Sequence, residues 1–210
     1  FDQAELAEGA QRMGAKVFAH GFGANTYWSS SIQDMQSTTS IERFDGDTWH
    51  AGGGEVINYA YPFPGPENPE HFRRLCGFDQ YKAGRFDGHM LHGFIAGRTP
   101  WNEFSDDPGG DGNYRNFCVA YPRRNGHIYT LAWEGWREAY DDLRYATKLK
   151  QLCVPLRDSP DIPLRTEARR QLAWLDRQDG SYTDLNALRR GLIDRILTIQ
   201  TRIAAVKEAR

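Results

Sequence analysis

Short apolar runs of strand character recur through the first two thirds of the chain, separated by stretches of helical period, and this alternation narrows the fold more than any other feature. The runs are KVFAH at 16–20, EVINYAYP at 55–62, DGHMLHGFIAG at 87–97, NFCVAYP at 116–122 and IYTLAW at 128–133. Ahead of the first, Leu6, Ala10 and Met13 share one helical face, and Gly14 ends that helix. Residues 21–54 are polar, carry Tyr27, Trp28, Phe44 and Trp49, and read as a long loop of the kind that is functional or mobile. After the second run, Asn68 is placed to cap a helix with Pro69 and Glu70 in its first turn, an apolar face of Phe72, Leu75 and Cys76, and a stop at Gly84. Trp136, Ala139, Tyr140, Leu143 and Thr147 predict one more helix after the last run. Apolar strands alternating with helices predict an α/β fold with parallel strands and long loops at the strand C-terminal ends.

From Cys153 onward the character changes. Helices are predicted from about Pro163 to Gln178 and from Asp184 to the end, where Leu185, Leu188, Leu192, Ile196, Ile199 and Ile203 form one stripe. A helical hairpin covering its own stripe accounts for this tail, and a short coiled-coil seam is the alternative. The division expected is 1–152 for the α/β part and 153–210 for the helical tail.

Composition excludes several classes. A hydrophobic fraction of 40%, a charged fraction of 26% and a net charge of −2 describe a globular chain without the basic field that nucleic acid or an anionic membrane would need. There is no apolar run long enough to cross a membrane. Cys76, Cys118 and Cys153 are odd in number and widely spaced, so buried thiols are expected rather than disulfides or a metal site. No cofactor is expected.

The words EVINYAYP, ENPEHFRRLCGFDQYKAGRFDGHMLHGF, TPWNEF and VAYPRRNGHIYTLAWEGWREAYDDLRY, in that order across residues 55–145, resemble the C-terminal part of bacterial barrel proteins related to glycoside hydrolases, among them the β-N-acetylgalactosaminidase family and its uncharacterised relatives. In the closing word Trp133, Glu134, Arg137, Glu138, Asp142 and Tyr145 match the family pattern, whereas Ala132 stands for its usual arginine and Ala139 for its glycine. The resemblance implies the C-terminal half of a (β/α)8 TIM-type barrel and a hydrolase of O-glycosyl bonds acting on a carbohydrate substrate. It also implies that the catalytic acids lie upstream, in an N-terminal half carried by the same or a companion chain, because half a barrel leaves strand edges open. An exported location, outside the cell or in the periplasm, is a further implication of the resemblance.

What remains for this half is to hold substrate. The candidates are Tyr59 or Tyr61 at a strand end, His92 after a strand, and Trp101, Asn102 and Asp106 on the loop beyond it. The two tyrosines fall on the same side of their strand, and Trp101 has a ring suited to stack on a sugar face or to anchor its loop. His89 and His92 read as hydrogen-bonded histidines, while Asp106, Asp107 and Asp111 lack the spacing of a calcium loop. His20 ends the first run and is a possible contact for sugar hydroxyls. Glu134 is placed either to face substrate or to pair with Arg137 or Arg73, and Arg73 and Arg74 are expected to pair with carboxylates of neighbouring helices. The rival reading is a non-catalytic carbohydrate-binding or structural module.

Overall fold

The computed structural model describes residues 3–21, 32–38, 43–60, 68–84, 86–91, 95–96, 117–180 and 183–208. In chain order these form α1 (Gln3–Arg12), β1 (Phe18–His20), β2 (Met35–Thr38), α2 (Arg43–Ala51), β3 (Glu55–Ala60), α3 (Pro69–Arg73), a π-helical turn (Arg74–Phe78) and α4 (Asp79–Ala83). Then follow β4 (Gly88–Leu91), β5 (Ile95–Ala96), β6 (Phe117–Cys118), β7 (Ala120–Arg123), β8 (Gly126–Tyr129), α5 (Leu131–Cys153), a 3₁₀ turn (Val154–Leu156), α6 (Ile162–Asp176) and α7 (Leu185–Glu208). The protein is α/β, with a parallel sheet and several helices. It divides into two compact units, residues 1–68 with 83–133, and residues 69–82 with 134–210.

The first unit is built on the sheet β1-β2-β3-β4, all parallel and in sequential order. Register places His20 beside Ser37, Thr38 beside Asn58, and Asn58 beside His89. Alternation therefore sorts the side chains onto two faces. One face carries Gln36, Thr38, Val56, Asn58 and His89, with Val56 packed on Trp49 of α2 and Phe86 beside them. The other carries Phe18, His20, Met35, Ser37, Ile57, Tyr59 and Met90. It is the more open of the two, with Phe18 48% exposed.

Residues 21–54, expected to be a loop, hold β2 and α2 instead. Hydrophobic period does not reveal a strand whose buried members are Gln36, Ser37 and Thr38. Leu6 of α1 and Met13 just beyond its end lie exposed rather than on a buried face, and Ala7 is the buried residue of the helix among those described. Beyond β4 the pairing is antiparallel, β5 with β6 and β7 with β8, where further parallel strands were expected. Arg124 and Asn125 turn the β7–β8 hairpin, and Gly126 follows at φ +128°, a conformation glycine alone adopts without strain.

The second unit is helical. The stripe Leu185, Leu188, Leu192, Ile196 and Ile199 of α7 is buried in one core with Phe78, Ala146, Leu149, Cys153, Ala168 and Leu175. The stripe is thus covered within its own unit. Asp161 caps α6 by accepting the Leu164 N–H at 2.9 Å, with Pro163 in the first turn. The buried face of α5 is Ala139, Asp142, Ala146, Leu149 and Cys153, and Tyr140 is exposed where the sequence pattern placed it inside. Small residues let the backbones approach closely. A Cβ on Gly135 would lie 2.9 Å from the Pro69 carbonyl carbon, and one on Gly77 would lie 3.1 Å from the Cα of Ala139. All three cysteines are buried thiols outside any disulfide, and burial pushes Cys76 up to about 12 and Cys153 up to about 11.

Candidate functional site at the strand ends

The C-terminal ends of β1, β2 and β3 bring together His20, Ser37 and Tyr59 on the more open face of the sheet. Ser37 is fully buried, and its Oγ lies 2.8 Å from His20 Nδ1, which fixes the imidazole orientation. The His20 and Tyr59 rings pack with centroids 4.5 Å apart, tilted by 59°. His20 itself is exposed, so a ring held from below and from the side meets solvent above. Beneath it, Gln36 donates to the Ser37 carbonyl at 2.8 Å and so stiffens this strand end, while the Oε1 of Gln36 is buried without a hydrogen-bond partner.

The opposite face at the same level carries the row Thr38, Asn58 and His89. Burial pushes His89 down to about 4, so it is neutral at neutral pH. Such a row supplies neutral hydrogen-bonding groups and no fixed charge. No described residue at these strand C-terminal ends is a carboxylate, and among the described residues no three His, Cys, Asp or Glu side chains converge as a metal site.

Three described carboxylates of this unit, Asp34, Glu55 and Asp87, sit at the other end. Asp34 accepts the Val17 N–H at 2.7 Å and the Gln11 amide at 3.1 Å, and these bonds, with the nearby Lys16 charge, hold its carboxyl below the usual range. Asp87 accepts the Val56 N–H at 2.7 Å and bonds His50 Nε2 at 2.9 Å. Glu55 pairs with Lys16 at 2.6 Å. These groups tie strand starts to one another.

In the second unit the acidic residues of α5 are also engaged. Asp142, fully buried, accepts from Arg73 Nε at 2.7 Å and from Arg189 Nε at 2.6 Å. Arg189 also bonds Glu138. Burial opposes ionisation of Glu138, but the Arg189 hydrogen bond and the charges of Arg189, Arg137 and Arg73 outweigh it, leaving its carboxyl below the ordinary value. Glu134 accepts from Arg137 Nε at 2.8 Å, the pairing alternative for that residue, and Arg74 pairs with Glu70. The pairing with a carboxylate of a neighbouring helix is present for Arg73, which meets Asp142 of α5, whereas Arg74 meets Glu70 one turn back on its own helical run.

Of the six substrate-binding candidates, Tyr59 is half-buried against His20. Tyr61, His92, Trp101, Asn102 and Asp106 lie outside the described residues. Ser37 was missed because its strand reads as polar loop, and the ends of the two neighbouring strands were the signal that could have drawn it in. Arg189 was missed because its partner lies far away in sequence. No protein-family model matches the chain, and no curated protein matches it.

Proposed function

We propose that this chain is the substrate-holding part of a glycoside hydrolase of the (β/α)8 kind, completed by strands that bring the catalytic carboxylates. One observation carries the reading: a sequentially ordered parallel sheet gathers His20, Ser37 and Tyr59 at its strand C-terminal ends, on the face left more open. Sequential order without reversal is what an arc of a barrel requires, and barrel enzymes carry their sites at those ends. Parallel sheets are normally covered on both faces, so the half-exposed apolar groups around Phe18 invite further structure. A hydrogen-bonding donor and acceptor set beside an aromatic ring suits sugar hydroxyls and sugar faces. Glycosidic cleavage would then take its two carboxylates from the completing part.

The rival, a binding module without catalysis, draws support from the lack of carboxylates at the described strand ends. The complete gene product separates the two. Assayed against a panel of aryl glycosides, it should release the aglycone, and Tyr59→Ala with His20→Ala should raise KM more than they lower kcat. Saccharide binding with no turnover would establish the module reading. A complete product without further barrel strands would sink the hydrolase reading.

A further inference from the structure

Within the helical unit, the α6–α7 pair holds a guanidinium that no carboxylate answers. Arg195 of α7 lies over the ring of Trp174 on α6, its guanidinium carbon 4.0 Å from the ring centre. Gly191, one turn back on α7, makes room for that ring, since a Cβ there would stand 3.0 Å from it. One Nη of Arg195 donates to Gln171 Oε1 at 2.5 Å, the single acceptor it has among the described residues, and its Nε–H is buried without a partner. Gln171 is itself buried and donates to Glu167. Glu167 is engaged elsewhere, by Arg170 at 2.7 Å and Arg202 at 3.5 Å.

The surroundings add cations. Arg170, Trp174 and Arg177 recur at helical spacing along α6 and just past its end, and Arg195 and Arg202 recur likewise on α7. Burial first, then the charge of Arg170, works against the Arg195 cation; Arg177 adds to this, and Glu167 and Asp194 offset it only in part, so the group is held below its ordinary value. Four arginines against these two carboxylates leave an excess of two positive charges in a chain that is weakly acidic overall. The side chains of Arg170 and Arg202 are 60% and 50% exposed, so a solute can reach the cluster. An arginine that only ties helices together meets a carboxylate, as Arg73 and Arg189 meet Asp142. Arg195 instead has its plane fixed by an aromatic ring and a neutral amide, and its charge is left for an anion to match.

We propose that Arg195, fixed on Trp174 and flanked by Arg170 and Arg177, binds a tetrahedral oxyanion, phosphate or sulfate, as the free ion or as an ester on a small molecule. A dianion matches the local excess of charge, where a single carboxylate would leave half of it unanswered. The site lies wholly within the helical unit, so it stands or falls independently of the barrel reading.

The test is a titration of the full chain with sodium phosphate, sodium sulfate and glycerol phosphate, against sodium chloride at matched ionic strength. Proton–nitrogen correlation NMR follows the Arg195 Nε–H and the Trp174 indole N–H, assigned by their loss in Arg195→Gln and Trp174→Phe. A saturable shift of both resonances with phosphate or sulfate, and not with chloride, is expected. Arg195→Lys keeps the charge without the fork and should lower the affinity roughly tenfold, read on the indole N–H. Arg170→Gln should give a smaller loss, and Arg124→Gln, in the other unit, none. A stronger response to glycerol phosphate assigns the oxyanion to an ester and a stronger response to the free ions assigns it to the ion itself, and either supports the site. The proposal is overturned by shifts no larger than those of chloride, by shifts that grow without saturating, or by affinity indifferent to both Arg195→Lys and Arg170→Gln.

Discussion

Replacing Asp142 by alanine should be among the most damaging single changes in the helical unit. Its carboxylate is fully buried and accepts from Arg73 Nε at 2.7 Å, Arg73 Nη2 at 3.3 Å and Arg189 Nε at 2.6 Å. Removing it leaves two guanidinium groups, with side chains 11% and 21% exposed, facing each other without the anion between them. Breaking a buried pair by deleting one partner costs roughly 3–5 kcal/mol. Some compensation survives: Arg73 keeps the Leu185 carbonyl at 3.1 Å and the Asn186 side chain at 2.7 Å, and Arg189 keeps Glu138. The loss should therefore fall near the lower bound, about 3 kcal/mol. Urea unfolding followed by far-UV circular dichroism, dominated by these helices, reads it as a fall in midpoint. The triple variant Asp142→Leu with Arg73→Met and Arg189→Met should recover most of the loss, because it removes the charges together. A loss below about 1 kcal/mol for Asp142→Ala would refute the argument, since it is the value of a solvent-screened surface pair.

Four further outcomes follow from the same reasoning. His89 sits near 4 when folded and near its ordinary 6.5 when unfolded, so unfolding takes up a proton between those values; stability is full above about 6.5, falls as pH drops toward 4 by up to about 3 kcal/mol, and the slope should vanish in His89→Asn. Asp34 behaves likewise in the acid range, because its lowered carboxyl contributes stability above the ordinary carboxylate value that is lost as pH falls through the folded one; Asp34→Asn should flatten that part of the unfolding profile. Gly135→Ala should destabilise by about 1–3 kcal/mol through its approach to the Pro69 backbone, seen as a lowered Tm. Gly9→Ala, mid-helix with nothing within 4 Å of the new methyl, should instead raise stability by about 0.5–1 kcal/mol.

The parts of the fold that announce themselves in the sequence are those whose burial is apolar. β3 lies where EVINYAYP predicted a strand, α6 and α7 lie close to their expected spans, and the stripe from Leu185 to Ile199 is buried as drawn. The parts that escape do so because burial there is polar, small or long in range. β2 is inside through Gln36, Ser37 and Thr38, and α5 packs through alanines and Asp142, which moves its face away from Tyr140. The Asn125-Gly126 pair that follows Arg124 is a hairpin signal lying between two runs, 116–122 and 128–133, that otherwise read as separate strands. Of the candidate site, Tyr59 was legible from alternation and His20 from its place at the end of a run. The contact that orients His20 comes from Ser37, a residue hidden with its strand.

The two ends of the parallel sheet divide their chemistry by charge. At the strand starts Asp34 and Asp87 each accept a backbone N–H from the neighbouring strand region, and Glu55 holds Lys16. Those N–H groups lie where the sheet ladder has not yet begun or has a gap, so the carboxylates satisfy donors that would otherwise need water. A strand of four residues spans roughly 13 Å, too far for these carboxylates to reach a sugar bound against His20 and Tyr59. At the strand ends the described groups are hydrogen-bonding side chains and an aromatic ring, without the carboxyl pair that glycosidic cleavage ordinarily uses. If hydrolysis occurs at this face, its acids must arrive from other strands or loops. Under the proposed reading the sheet itself would supply orientation, through the buried hydroxyl of Ser37 that holds the exposed imidazole of His20.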